Sequence, residues 1–254
     1  MQDHELNAHA SVDILEMDLA SGRRSPADRE RILFYLSRYG RIAALSGLLG
    51  RADIDGFHAR LRHSGAHRRQ LLSERKEQGR PFTHFSCTSH IAPLCDAIAS
   101  GAEALARDIA ALSATTWLWR DEFEDDFHYG CLLGWLVSSD GASAPEAESL
   151  LDSLIRSSGD DAAPRVRLCR ALLKREPRVF DEALRELLEA RASSFRNKVG
   201  SLGARDAHFE TERHVFVEGL ALLRLAELRG ISVEEEYPLL PGLVRLRPVV
   251  AATP

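Results

Sequence analysis

The sequence has few cysteines and no long apolar run. Its 254 residues include four cysteines and no CxxC pair, so we expect reduced, buried thiols and no disulfide framework. A bilayer-spanning helix needs about 18 uninterrupted apolar residues, and charges interrupt even the apolar stretch at residues 215–228. The N-terminus lacks the basic cluster and apolar core of a secretory signal. These absences predict a cytoplasmic protein with no place in a membrane.

The common catalytic and cofactor-binding motifs are absent as well. The sequence contains no HExxH motif, no phosphate-binding loop, no GxSxG elbow and no glycine-rich dinucleotide fingerprint. Each of these motifs places reactive or anion-binding groups at a fixed spacing, so their absence removes the main sequence support for catalysis. We therefore predict that the protein is not an enzyme, has no catalytic residue and needs no cofactor.

Acidic and basic residues are unevenly distributed along the chain. The net charge of −5 combines +3 for residues 1–80, −11 for residues 81–163 and +3 for residues 164–254. The strongly acidic segment of residues 81–163 repels phosphate backbones, which disfavours nucleic-acid binding. The same charge attracts basic partners. Two interpretations stay open: the acids form a surface for a basic protein, or they only solvate one face of the molecule.

The densest acidic run lies inside this middle segment. Five acids surround Phe123: Asp121, Glu122, Glu124, Asp125 and Asp126. The helix dipole stabilises acids in the first turn of a helix, but this effect does not require five of them. We predict that the run opens a helix and forms the surface that binds a protein partner.

Apolar residues recur three and four positions apart along most of the chain, which is the helical pattern. Ser25 followed by Pro26 is a typical helix start, and residues 53–76 predict a second helix whose middle is uncertain. Gly101 predicts a turn between two short helices, and Pro177 joins two amphipathic helices into a hairpin. The sequence therefore predicts an all-α fold of irregular antiparallel helical hairpins, packed into one large bundle or a tetratricopeptide-like array.

Further patterns predict how these helices form the core. Residues 143–146 have a capping-box pattern, and residues 209–229 predict one long central helix that ends at Gly230. Residues 1–80 form an N-terminal helical segment and residues 81–254 a larger helical region, which we expect to be one continuous compact unit. A stripe with a spacing of four is predicted to face the core: Phe123, Phe127, Cys131 and Trp135.

One carboxylate interrupts the apolar pattern of residues 209–229. Glu218 lies between Val217 and Gly219, where burial is costly unless the charge is paired or hydrogen-bonded. We therefore expect an arginine or a backbone donor beside it. We interpret Glu218 as a structural polar contact between helices and not as a functional group.

Two groups of residues have side chains of the types that bind zinc. The first group offers four potential ligands within twelve residues: His84, Cys87, His90 and Cys95. Zinc sites normally pair ligands from separated segments, whereas these four would have to fold back within one short loop. In the second group, His208 and His214 flank Glu210 at the start of the predicted long helix, where the helix dipole alone explains the acid. We therefore favour buried thiols and surface histidines and predict no metal site.

Residues 90–242 contain a distinctive series of segments. In chain order they are LCDAIASG, ALARDIAALS, EFEDDFHYG, RLCRALLKREPRVFDEALRELLEAR, FETERHVFVEGLALLRLAELRG and EYPLLP. This series resembles the immunity protein 49 family of bacterial polymorphic toxin systems. The resemblance implies an all-α protein that is encoded next to a toxin and blocks the toxin by binding it. The resemblance assigns no catalytic residue to this chain.

Charge and resemblance together predict the function. We expect an immunity protein that binds and neutralises a cognate toxin by direct contact, through an acidic surface suited to a basic site that handles nucleic acid or nucleotides. The alternative is a helical-hairpin adaptor that binds a cellular protein or peptide, which predicts a long concave groove. The oligomeric state stays open.

Overall fold

The structure is a computed structural model and describes residues 1–138, 144–201, 204 and 206–246. Within these residues the chain forms eleven α-helices, a 3₁₀ turn at Gly242–Val244 and no β-strand, which confirms the all-α prediction. The α-helices are α1 (Gln2–Ala20), α2 (Pro26–Arg51), α3 (Ile54–Glu77), α4 (Ala92–Ala99), α5 (Glu103–Leu112), α6 (Glu124–Ser138), α7 (Ala144–Ser158), α8 (Pro164–Lys174), α9 (Pro177–Lys198), α10 (Ala207–Glu212) and α11 (Val217–Leu228).

Local signals set several helix ends where the sequence predicts them. Ser25 Oγ accepts the backbone N–H of Asp28 at 3.2 Å, with Pro26 in the first helical position of α2. The turn between α4 and α5 has Gly101 at φ +72°, a left-handed conformation that glycine adopts without strain. Pro177 begins α9, which packs against α8 as the predicted hairpin.

The middle of α3 is helical, which settles the uncertainty at residues 64–65. Gly65 faces α4 and α5: a Cβ at this position would lie 3.1 Å from the side chains of Ala97 and Leu105. Glycine is present because the three helices approach closely here, although it lowers intrinsic helix propensity.

The helices form a bundle around one large hydrophobic cluster. Helix α2 contacts α1 and α3, α3 contacts α4 and α5, and α11 packs on α4. The cluster draws on both the N-terminal segment and the remainder of the chain, and each fully buried large side chain contributes about 1.5–3 kcal/mol of transfer free energy. Representative members are Leu36, Leu72, Ile98, Leu132 and Leu222.

The predicted apolar stripe of α6 is wrong at its first residue. Helix α6 begins at Glu124, so Phe123 precedes the helix. Phe123 is 77% exposed. Phe127 is buried, while Cys131 and Trp135 are half-buried at the margin. The stripe is displaced because the buried face of α6 is centred on Leu132, Leu133 and Leu136.

The single long helix predicted over residues 209–229 is also wrong. Helix α10 ends at Glu212 and α11 begins at Val217. Phe216 leaves the helical conformation with φ −102° and ψ 93°, and its N–H donates to the carbonyl of Leu239 at 2.9 Å. This long-range bond replaces a helical one and breaks the helix. The predicted end at Gly230 is confirmed, with φ +73°.

Two further predictions can be compared with the structure in part. Ser143, the start of the predicted capping box, lies outside the described residues. Among the helices that the structure describes, none combines the length and hydropathy needed to cross a bilayer.

Candidate functional site

Residues 117–126, between α5 and the first turn of α6, form an exposed aromatic and acidic segment, hereafter the acidic loop. Trp119 and Phe123 are 66% and 77% exposed, and Trp117 is 36% exposed. The guanidinium of Arg120 stacks on the Trp119 ring, with 4.5 Å between Cζ and the ring centroid. Exposed aromatic clusters of this kind mark protein-binding surfaces, where tryptophan is enriched among the residues that dominate affinity.

The five acids of the loop fall into two groups. Asp121, Glu124 and Asp125 are exposed, and a carboxylate oxygen of Glu124 lies 3.7 Å from His128 Nε2. Glu122 instead accepts backbone N–H groups of Ser89 at 2.7 Å and Leu118 at 3.2 Å. Asp126 is tied to an arginine, as described below. Three carboxylates are therefore available to a partner, while two hold the loop in place.

A second loop, residues 84–91 before α4, supports the acidic loop. Besides the Ser89 contact, Thr88 Oγ1 donates to the carbonyl of Ala114 at 2.9 Å. Gly130 of α6 packs directly on this support, because a Cβ there would lie 2.7 Å from the Thr88 carbonyl oxygen. The conformation of the acidic loop thus depends on residues about 30 positions earlier in the chain.

Arg165 of α8 connects the acidic loop to the interior. It donates to Asp126 at 2.9 Å and to both carboxylate oxygens of Glu218 at 3.1 Å. Tyr129 Oη donates to Glu218 at 3.0 Å and its ring lies under the guanidinium. The expected cationic neighbour of Glu218 is therefore Arg165. Glu218 lies in the first turn of α11, where the helix dipole also favours a carboxylate.

Burial and charge act in opposite directions in this group. Burial raises the pKa of Asp126, the charge of Arg165 lowers it, and neighbouring Asp125 raises it again. Burial lowers the pKa of Arg165, but the neighbouring acidic groups, Glu218 first among them, raise it by more than burial lowers it. The guanidinium therefore stays charged. The arrangement fixes the first turn of α6 against α8 and α11.

A buried ion network that the sequence analysis missed crosses the bundle. Arg41 of α2 donates to Asp96 of α4 at 2.8 Å, to Glu212 of α10 at 3.0 Å and to the carbonyl of Ala92. Ser64 Oγ donates to the second oxygen of Asp96 at 2.6 Å. The available signal was a charged residue within an apolar helical pattern, the same signal that identified Glu218.

The four candidate zinc ligands do not all meet. Ligand atoms of His84, Cys87 and His90 lie within 4.8 Å of one another, the single group of at least three such residues among the described parts of the chain. Cys95 is outside this group, fully buried in α4. Burial raises the pKa of the Cys95 thiol well above its ordinary value.

Residues of the second candidate ligand group contact neighbouring arginine and glutamate side chains. Arg213 lies between Glu210 and His214, 3.0 Å from a carboxylate oxygen of the first and donating to Nε2 of the second at 3.0 Å. His208 lies 3.7 Å from Glu212, the residue that pairs with Arg41 and with Arg191. These are local polar contacts at the ends of a short helix.

An open groove of about 880 Å³ lies along α3 and α5. Its lining mixes acids and bases, including Glu16, His67, Arg69 and Asp108. The groove has the open shape that the adaptor alternative predicts. Most of its lining residues are polar or charged, whereas an amphipathic helix binds through an apolar groove.

The fold defines an all-α protein of packed helical hairpins, with an exposed acidic loop and a buried ion network. The family model described as Immunity protein 49 matches residues 43–243. The chain therefore belongs to the immunity protein 49 family. The match begins well before residue 90, so the family region includes the last third of α2, all of α3 and the loop of residues 84–91. No curated protein and no solved structure matches the chain.

Proposed function

We propose that the protein neutralises a cognate toxin, the product of a neighbouring gene, by binding it directly through the acidic loop. Family membership supports the immunity role. The observation that supports this surface is the exposed combination of Trp119 and Phe123 with three available carboxylates, Asp121, Glu124 and Asp125. Binding of this type blocks a toxin by occupying its active site and requires no chemistry from the immunity protein.

The chemistry of the loop specifies the partner. The aromatic side chains supply apolar area that loses little conformational entropy on binding, and the carboxylates steer association with a positively charged face. The toxin therefore has a basic cleft next to an apolar pocket, as an enzyme that acts on nucleic acid or nucleotides has. The acidic segment itself does not bind nucleic acid.

The loop is prepared for binding because its internal contacts fix its shape before the partner arrives. Glu122 is held by the backbone of Ser89 and Leu118, and Asp126 is held by Arg165. Affinity rises when a binding segment is ordered in advance, since less conformational entropy is lost on association. We therefore assign Glu122 and Asp126 to positioning the surface, and the remaining acids and the aromatics to direct contact.

Co-expression with the neighbouring toxin tests this function. We expect the protein to restore growth and to purify in a stable complex. Replacing Asp121, Glu124 and Asp125 by lysine lowers affinity by at least about tenfold, mainly through slower association, and the loss shrinks at high salt. Trp119→Ala and Phe123→Ala each lower affinity by about 30-fold, the effect of a 2 kcal/mol interface residue.

A matched control distinguishes this surface from net charge. Glu148, Asp152 and Asp161 are exposed acids of the same acidic segment, and replacing them by lysine changes the net charge equally. We expect this control variant to bind normally. If the variant of Asp121, Glu124 and Asp125 binds the toxin with normal affinity, the acidic loop is not the binding surface. If the protein neither binds nor neutralises the toxin, the adaptor alternative and its groove are favoured.

A further inference from the structure

The segment that joins α3 to α4 brings three metal-binding side chains together. His84, Cys87 and His90 have ligand atoms within 4.8 Å of one another. In a tetrahedral zinc site with Zn–N of about 2.0 Å and Zn–S of about 2.3 Å, neighbouring ligand atoms are about 3.5 Å apart. A contraction of at most about 1.3 Å, within the range of a side-chain rotation, would therefore give bonding distances. We propose that these three residues bind a zinc ion and leave its fourth position open to water.

His90 carries the strongest sign of a missing ligand. Its Nε2 is buried and has no hydrogen-bond partner among the described residues, whereas buried polar atoms in proteins are almost always paired. Burial lowers the pKa of His90 to about 4. A neutral imidazole has a lone pair on one ring nitrogen, and the unpaired Nε2 can offer it to a metal.

His84 is exposed and gives the site an entrance from solvent. Its Nδ1 lies 3.4 Å from the carbonyl oxygen of Asp121. In the tautomer whose Nδ1 donates to that carbonyl, Nε2 is left as the ligand atom, which is the usual arrangement of a metal-bound histidine. Its ring also meets the His90 ring edge to face, with centroids 5.1 Å apart.

Cys87 supplies the third ligand after losing its proton. Burial raises the pKa of the thiol above its ordinary value, and the nearby Glu122 carboxylate adds to this effect, while the hydrogen bond to Ser89 and the Arg68 guanidinium offset part of it. Sγ donates to the carbonyl of His84 at 3.1 Å, so the thiol hydrogen points into the same turn. Zinc binding replaces the S–H bond by an S–Zn bond, and the proton passes to solvent.

Ligand type selects the metal. Two imidazoles and one thiolate suit zinc, and three protein ligands with a fourth open position are typical of zinc sites that retain water. The sequence argument against this site was that its ligands would have to fold back within one short loop. Tight turns within residues 84–89 achieve that folding, with Ser86 N–H bonded to the Thr83 carbonyl at 2.9 Å.

Metal titration of the untagged, chelator-treated protein tests the proposal. We expect Zn²⁺ to bind in a 1:1 ratio by calorimetry, with release of about one proton per ion when buffers of different ionisation enthalpy are compared. Co²⁺ should give a thiolate-to-cobalt charge-transfer band. His84→Gln, Cys87→Ser and His90→Gln should each weaken binding by at least about 100-fold, beyond the effect of an outer-shell partner.

Two control variants and one exposed ligand keep the test decisive. Cys131→Ser and His128→Gln change a thiol and an imidazole outside the group and should bind Zn²⁺ normally. His84 is exposed, so His84→Gln should retain the native circular dichroism spectrum even if substitution of the buried Cys87 disturbs folding. Absence of saturable binding, or binding that survives His84→Gln, would overturn the proposal, and neither result bears on toxin neutralisation.

Discussion

Replacement of Arg41 by methionine is expected to destabilise the fold strongly. The side chains of Arg41, Asp96 and Glu212 are only 9%, 1% and 13% exposed. Without the guanidinium, Asp96 keeps a single hydroxyl donor, that of Ser64 at 2.6 Å, while Glu212 still contacts Arg191 at 3.1 Å. Removing one partner of a buried ion pair costs about 3–5 kcal/mol.

We place the cost near 3 kcal/mol because Glu212 retains a cation, which corresponds to a roughly 100-fold rise in the unfolding equilibrium constant. Urea unfolding followed by circular dichroism measures this difference, provided that the two proteins have the same m-value. Arg178→Met is the matched control: Arg178 is 91% exposed and 3.8 Å from Glu182, so its change should stay within about 0.5 kcal/mol.

A double variant tests the electrostatic cause. Adding Asp96→Asn to Arg41→Met removes the uncompensated buried charge, so the double variant should be more stable than Arg41→Met alone by about 1–2 kcal/mol. If the unfolding free energy of Arg41→Met lies within about 1 kcal/mol of that of the unaltered protein, or if Asp96→Asn adds its full cost independently, the buried ion network does not stabilise the fold.

Three other perturbations follow from the geometry. Burial lowers the pKa of His67 and His90 to about 4, so the unfolded chain binds more protons than the native one below pH 6.5. Each histidine should therefore remove about 2 kcal/mol of stability between pH 6.5 and 5. His67→Gln should reduce the dependence of the unfolding free energy on pH, measured by urea titrations, and an unchanged dependence would refute this expectation. Gly130→Ala should cost about 1–3 kcal/mol because its Cβ meets the Thr88 carbonyl oxygen at 2.7 Å; thermal unfolding should show this loss, which a freely adjusting loop would abolish. Ser25→Ala should cost about 1 kcal/mol of unfolding free energy by removing the α2 cap, while Ser25→Asp should restore it.

Sequence patterns located the helices whose ends depend on neighbouring residues. The cap at Ser25 and the stops at Gly101 and Gly230 act within one turn of the chain, so the residues themselves carry the information. Periodicity failed where a distant contact prevailed. Phe216 leaves the helix to bond Leu239, and no local pattern encodes that partner.

The candidate site shows the same division. The sequence identified five acids as one run, but only tertiary contacts separated Glu122 and Asp126, which are held internally, from the three that face solvent. It also identified the ligand types near His84 but not which of them meet. Side-chain pairing depends on orientation across elements, which spacing along the chain does not specify.

By itself, the sequence determined the all-α class, several helix ends and the concentration of negative charge, because these follow from composition, short-range periodicity and capping. The tertiary structure decided which charges are buried and which remain available. Arg41 and Glu212 are 171 positions apart and form a pair only because α2 and α10 pack together. Burial then sets the energetic weight of each charge, since desolvation and pairing depend on neighbours that folding brings together.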